Sequence, residues 1–158
     1  MVDTGERYER ERLEREFLPE AEERLDALAA ELQALRAGRV GGRIDPQTVN
    51  TLFRHVHSLK GLAGIFDLQM VVNLAHDLED LLDRLRTGRA EVTDGALTLL
   101  EEAASALSRM VLELSSRAAP RRADSDRLDS VALGERLRGE TAGALQGSAG
   151  TGEGPPGG

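Results

Sequence analysis

The chain has 158 residues, of which 40% are hydrophobic and only 3% aromatic, with no cysteine and a formal charge of −8. That length supports one domain with a sizeable core, and the Leu-, Ala-, Glu- and Arg-rich composition favours an all-α fold packed through aliphatic side chains. The missing cysteines exclude disulfides and thiolate metal sites, the net negative charge argues against nucleic acid as a partner, and no apolar run approaches the roughly 20 residues that span a bilayer. With no apolar leader in "MVDTGERYERERLEREF" either, the expectation is a cytoplasmic protein without a membrane partner.

From about Glu6 to Ala37, Leu13, Phe17, Ala21, Leu25, Leu28, Leu32 and Leu35 recur at three- and four-residue steps, which predicts one long amphipathic helix kinked or broken at Pro19. "AGRVGGRID" reads as a loop. Asp45 before Pro46 then opens a second helix, with Val49, Leu52, Phe53, Val56, Leu59, Ala63 and Phe66 as its apolar stripe and an end near Asp67. A third helix, from about Leu68 to Thr87, carries Val71, Ala75, Leu78, Leu82 and Leu85, and Gly88 is placed to terminate it. Thr93 or Asp94 caps a fourth, with Leu97, Leu100, Ala103, Ala104, Leu107, Val111 and Leu114 inward, before Pro120 stops it.

Four helices of similar length with short connections describe an up-and-down antiparallel bundle. Beyond Pro120, Leu128, Val131, Leu133 and Leu137 predict a shorter fifth helix with an apolar edge. Glycines concentrate in "GALQGSAGTGEGPPGG", which lacks any periodicity. The expected organisation is one domain over residues 6–140 and a flexible linker or disordered tail over residues 141–158.

On the second helix Asn50, Arg54, His57, Gly61 and Gly64 fall one turn apart, on a strip beside the apolar stripe. His57 should stand at the bundle rim. Two glycines inside a helix each cost about 0.5–1 kcal/mol against alanine, which suggests that something approaches this backbone closely. Lys60, three residues on, can bring its ammonium group to the same site. A neutral imidazole is a competent nucleophile toward phosphorus, and phosphoryl transfer needs positioning and charge compensation more than elaborate covalent machinery. On the third helix His76 and Glu79 are also three apart, and antiparallel packing leans their face toward His57. A carboxylate that accepts from one ring N–H fixes the tautomer and leaves the other nitrogen with its lone pair exposed. Glu79 is the candidate for that role.

"HSLKGLAG" resembles the H-x-x-K-G core of histidine phosphotransfer domains. "FRHVHSLKGLAGIF" followed by "AHDLEDLLDRLRTG" is similar in particular to the amino-terminal domain of CheA-type chemotaxis histidine kinases, over roughly Tyr8 to Arg138 and most strongly from Leu52 to Gly88. The resemblance implies that His57 is phosphorylated at Nε2 while Glu79 holds Nδ1–H, that Lys60 and Gly61 complete the motif, and that His76 joins Glu79 and Lys60 in a hydrogen-bonded network. It further implies a phosphoryl carrier that takes its phosphoryl group from a kinase ATP-binding domain, passes it to a response-regulator aspartate, and needs no cofactor of its own, ATP and magnesium belonging to the kinase domain. His55 matches no functional position of that family. Asp67 stands where CheA-type domains usually have glycine, which could alter the turn between helices two and three.

The chain alone is expected to be a monomer, and a free-standing phosphotransfer protein is the alternative to the amino-terminal part of a kinase. A di-metal bundle is disfavoured because His76 and Glu79 are the single His/Glu pair at that spacing and stand in reversed order. A plain scaffold with "ERYERERLEREF" as docking surface competes with the simpler view that those mixed charges form a solvated face. No P-loop or glycine-rich nucleotide loop occurs, so no ATP-dependent activity is expected of this chain alone.

Overall fold

The computed structural model describes residues 3–39, 44–116 and 123–147; the glycines expected in the first loop at 41–42, the stop at Pro120 and the tail beyond Gly147 lie outside them. Every regular element among the described residues is helical. α1 (Thr4–Arg12), a π-helical turn (Leu13–Phe17) and α2 (Leu18–Ala37) form one continuous rod, followed by α3 (Pro46–Ile65), α4 (Gln69–Arg86), α5 (Asp94–Ser115) and α6 (Ala123–Gly147).

Pro19 neither breaks nor ends the first rod. A proline has no N–H to donate and crowds the carbonyl four residues back. The ladder widens just before it instead: the amide of Leu18 bonds the carbonyl of Leu13, five residues away, and Pro19 then occupies the first turn of α2, where a missing donor costs nothing.

α3 starts as its sequence predicts, with the Asp45 carboxylate accepting from the Gln47 amide at 3.0 Å. It ends in a Schellman turn, in which the Leu68 amide bonds the Ala63 carbonyl and the Asp67 amide bonds that of Gly64. This closure requires one residue in the left-handed region, and Asp67 supplies it at φ 54°. The turn is therefore kept with aspartate in the glycine's place, since a short polar side chain tolerates that region better than most. Gly88 terminates the α4 segment at φ 72°, and the Thr93 hydroxyl caps α5 by accepting from the Ala96 amide at 3.0 Å.

α2, α3, α4 and α5 close a ring, each packing on the next, and α6 lies against α4 and α5. The core is almost wholly aliphatic, with Phe17, Leu28, Leu52, Leu59, Leu78, Leu82, Leu100 and Leu107 among its fully buried members. Phe53, Phe66, Leu13 and Leu114, expected on the apolar stripes, are only partly buried at its edge.

The fifth helix differs most from expectation. It is longer than predicted and runs through residues 141–147, into the segment that the sequence marks as a linker, where the helix formers Ala142, Ala144, Leu145 and Gln146 outnumber Thr141 and Gly143. Of the four apolar residues expected on its edge only Leu133 and Leu137, one turn apart, are buried; Leu128 and Val131 lie on a different face and are 71% and 54% exposed. Gly134 lets this helix come close: a Cβ there would stand 2.6 Å from Oδ2 of Asp77 on α4. That buried carboxylate accepts from Nη1 of Arg138 at 2.5 Å.

Candidate functional site

The α3–α4 connection is short, so the two helices run antiparallel and the rim of α3 faces the rim of α4. Val49, Leu52, Val56, Leu59 and Ala63 turn inward on α3. This leaves His57 and Lys60, offset from that stripe, at its edge. Val71, Ala75, Leu78 and Leu82 do the same for α4 and set Glu79 on the facing edge.

Nδ1 of His57 lies 3.0 Å from Oε2 of Glu79, and Nζ of Lys60 donates to Oε1 of the same carboxylate at 2.8 Å. One carboxylate thus ties together two side chains of α3. Its own side chain is 13% exposed, against 62% for His57. Burial pushes the Glu79 carboxyl up, but the hydrogen bonds from Lys60 and His57 and their charges outweigh it, so the group is held below its ordinary value. An ionised carboxylate can only accept, so the proton in the His57 contact sits on Nδ1. In the neutral ring Nε2 then carries the free lone pair, on an imidazole that is mostly open to solvent.

Gly61 and Gly64 follow on the exposed side of α3, and a Cβ at either position would meet nothing within 4 Å. No group among the described residues makes the close approach that those glycines permit. His76 is not brought into the set. Its Nε2 faces Asp80, one turn along α4, at 3.5 Å, and no hydrogen bond joins it to His57, Lys60 or Glu79. Position 76 shares the stripe of 80 as well as that of 79, and the side chain leans to the former. His55 sits half-buried on α3 with its Nδ1 buried and without a hydrogen-bond partner among the described residues. Among those residues no group of three or more His, Cys, Asp or Glu side chains is placed to hold a metal ion, and no helix is long and apolar enough to cross a membrane.

Two neighbours of the site are not singled out by the sequence. Phe53, one turn before His57, stacks on the imidazole with centroids 5.9 Å apart and planes at 14°, and the guanidinium of Arg86 stands 4.1 Å from the centre of the Phe53 ring. Phe53 reads as a core residue from its spacing, and the contact with Arg86 depends on the register between α3 and α4.

Comparison with known proteins agrees with this fold. The Hpt domain family matches residues 12–110. The chemotaxis protein CheA of Cereibacter sphaeroides is 41% identical over 95 residues, and that of Rhizobium meliloti 40% over 92. The matches take in 60% and 58% of this chain but 14% and 12% of those proteins, so the chain spans only a small part of these relatives. Among solved structures, the phosphorylated P1 domain of CheA3 in complex with CheY6 from R. sphaeroides superposes with a TM-score of 0.65 at 30% identity, over 80% of this chain and 93% of that one. With a family match that runs from the end of α1 to the last turns of α5 and takes in the exposed histidine, its lysine and its glutamate, the chain belongs to the Hpt, or histidine phosphotransfer, domain family.

Proposed function

We propose that this chain is the phosphoryl carrier of a chemotaxis-like phosphorelay, the amino-terminal domain of a cytoplasmic CheA-type histidine kinase, and that His57 is its phosphorylated residue. The observation that carries the reading is the contact of Nδ1 of His57 with a Glu79 carboxylate that Lys60 also holds, beneath an otherwise open imidazole. In the loading step the Nε2 lone pair forms a bond to the γ-phosphorus of ATP held by a separate kinase domain, the bond from that phosphorus to the bridging oxygen breaks, and the electron pair leaves with ADP. The ring becomes an imidazolium, and its Nδ1–H stays hydrogen-bonded to Glu79, which offsets the charge. Lys60 keeps that carboxylate ionised and adds a positive charge beside the incoming phosphoryl group. In the unloading step a carboxylate oxygen of a response-regulator aspartate attacks phosphorus, the N–P bond breaks and its electron pair returns to Nε2.

The exposed backbone at Gly61 and Gly64 supports the same reading, because both donor and acceptor proteins must come close to the ring. His57→Gln should abolish acid-labile labelling by a cognate kinase domain, whereas His55→Gln should retain most of it. Phosphopeptide mapping that placed the phosphate on His55 or His76 would overturn the assignment.

A further inference from the structure

We infer that Phe53 and Arg86 position the His57 ring for transfer, acting on its plane as Glu79 acts on its edge; the inference rests on the carrier reading above. A ring that is 62% exposed and held by one hydrogen bond at Nδ1 still pivots about that bond, and each pivot swings Nε2 away from the line of attack. Transfer rates depend steeply on such alignment. A second restraint has to act on the face of the ring. Phe53 provides it: its ring lies within 14° of parallel to the imidazole, at a 5.9 Å separation that falls in the range of offset aromatic pairs.

Phe53 is itself only partly buried at the edge of the core, which leaves one side of its ring to be held from outside. Arg86 supplies that support from α4. Its Cζ stands 4.1 Å from the Phe53 centroid, well within cation–π reach. The guanidinium is fixed in turn by Asp83, with Nε at 2.9 Å and Nη2 at 2.7 Å from Oδ1, while Oδ2 of Asp83 takes Nη2 of Arg89 at 2.8 Å. Glu79, Asp83 and Arg86 lie at successive turns of one face of α4. One helix edge therefore holds the nucleophile both at its nitrogen and, through a phenyl ring, at its plane.

The test uses the whole chain with two kinds of readout. The first is the His57 side-chain rotamer and ring-nitrogen shifts by NMR, which need no phosphorylation. The second is the rate of phosphorylation by phosphoramidate, a small donor that needs no docking surface, beside the rate with a kinase catalytic domain. Phe53→Leu keeps an apolar side chain but loses the flat face; it should average the His57 rotamer, leave the Nδ1–H tautomer in place, and slow both donors by about 3- to 10-fold. Phe53→Tyr restores the face and should stay within about twofold of the parent rate. Arg86→Gln, a change at an exposed side chain that leaves the core intact, should shift the rotamer in the same direction with a smaller rate loss, and it decides the matter if Phe53→Leu does not fold.

Unchanged rotamer and unchanged phosphoramidate rate in Phe53→Leu, or in Arg86→Gln where that variant decides, would overturn the inference. A loss confined to the kinase-domain reaction would overturn it too, by making these residues a docking surface. If the parent chain takes phosphate on no histidine, the carrier reading fails, and the rotamer data still judge the positioning claim.

Discussion

At the scale of single residues, the proposed transfer depends on where one proton sits. Glu79 keeps it on Nδ1 of His57, so Glu79→Ala should release that tautomer and slow phosphorylation by about 10- to 100-fold, as expected for a group that orients another. Ring-nitrogen shifts and labelling rates measured on one sample check it; unchanged values of both would show that the contact has no role. The same carboxylate carries a pH signature. Its folded value is depressed, so its stabilising contribution is complete above the unfolded value near 4.5 and is lost as pH falls through the folded value. Urea denaturation should therefore show the parent most stable relative to Glu79→Gln at neutral pH, with the gap closing in acid. A gap that widened toward acid would reverse the assignment. A third residue, Asp67, sits at φ 54° in the α3–α4 turn, so Asp67→Ala should cost about 1 kcal/mol while Asp67→Gly should be neutral or stabilising, as thermal unfolding would register. His57, Lys60 and Glu79 are legible in the sequence because i,i+3 spacing and a short connection leave little freedom in how two helix rims meet. His76 is not, because position 76 on a helix serves the stripes of both 79 and 80. The stack of Phe53 on His57 needs side-chain rotamers, which no spacing rule supplies.

At the scale of elements, α6 explains what periodicity alone leaves unread. One apolar stripe accounts for Val71, Ala75, Leu78, Leu82 and Leu85 on α4, yet Leu74, Leu81 and Asp77 are buried too, and on α5 Leu99, Ala106 and Met110 are buried beside the expected face. Those two helices cover the bundle core with one face and receive α6 with another. The wider apolar arcs are visible in the sequence, but which helix fills the second face is a tertiary fact. The weak periodicity of α6 hides it further, since Leu128 and Val131 point outward. Its docking rests on Leu133 and Leu137, on the close approach at Gly134, and on Arg138 reaching a carboxylate that is 8% exposed. Arg138→Met should cost about 2–3 kcal/mol because it strands the Asp77 charge, whereas Asp77→Leu combined with Arg138→Met should recover much of that loss. Gly134→Ala should cost about 1–3 kcal/mol through overpacking against Asp77. Since α6 packs on α4 and α5 rather than on α3, which carries His57, phosphorylation by phosphoramidate should stay within about twofold in each folded variant. Equal stability of Arg138→Met and the parent would show that the ion pair does not hold the helix.

For the whole molecule, the question is where the phosphoryl donor comes from. The interior of the bundle is filled by aliphatic side chains, and two clefts among the described residues, about 550 and 490 Å³, open between α5 and α6 and between α4 and α6. Neither is lined by a residue of α3, and in the first Glu101, Glu102 and Asp129 outnumber Arg109 and Arg136, so its walls offer a polyphosphate no net positive charge. The imidazole, by contrast, projects into solvent from α3, with two bare helix turns at Gly61 and Gly64 beside it, and is reachable by a second protein. Labelling by ATP should then be bimolecular. The purified chain incubated with γ-labelled ATP and magnesium should neither label itself nor release phosphate, and adding a cognate kinase ATP-binding domain should restore labelling at an initial rate proportional to the concentration of that domain while it is limiting. His57→Gln should remove the restored label, and Glu79→Ala should lower it in the ratio found with phosphoramidate, because the same nitrogen is attacked in both reactions. Self-labelling that is first order in this chain and independent of added kinase domain would mean that the bundle holds a nucleotide within reach of His57, and the carrier assignment would have to be replaced by an autonomous kinase.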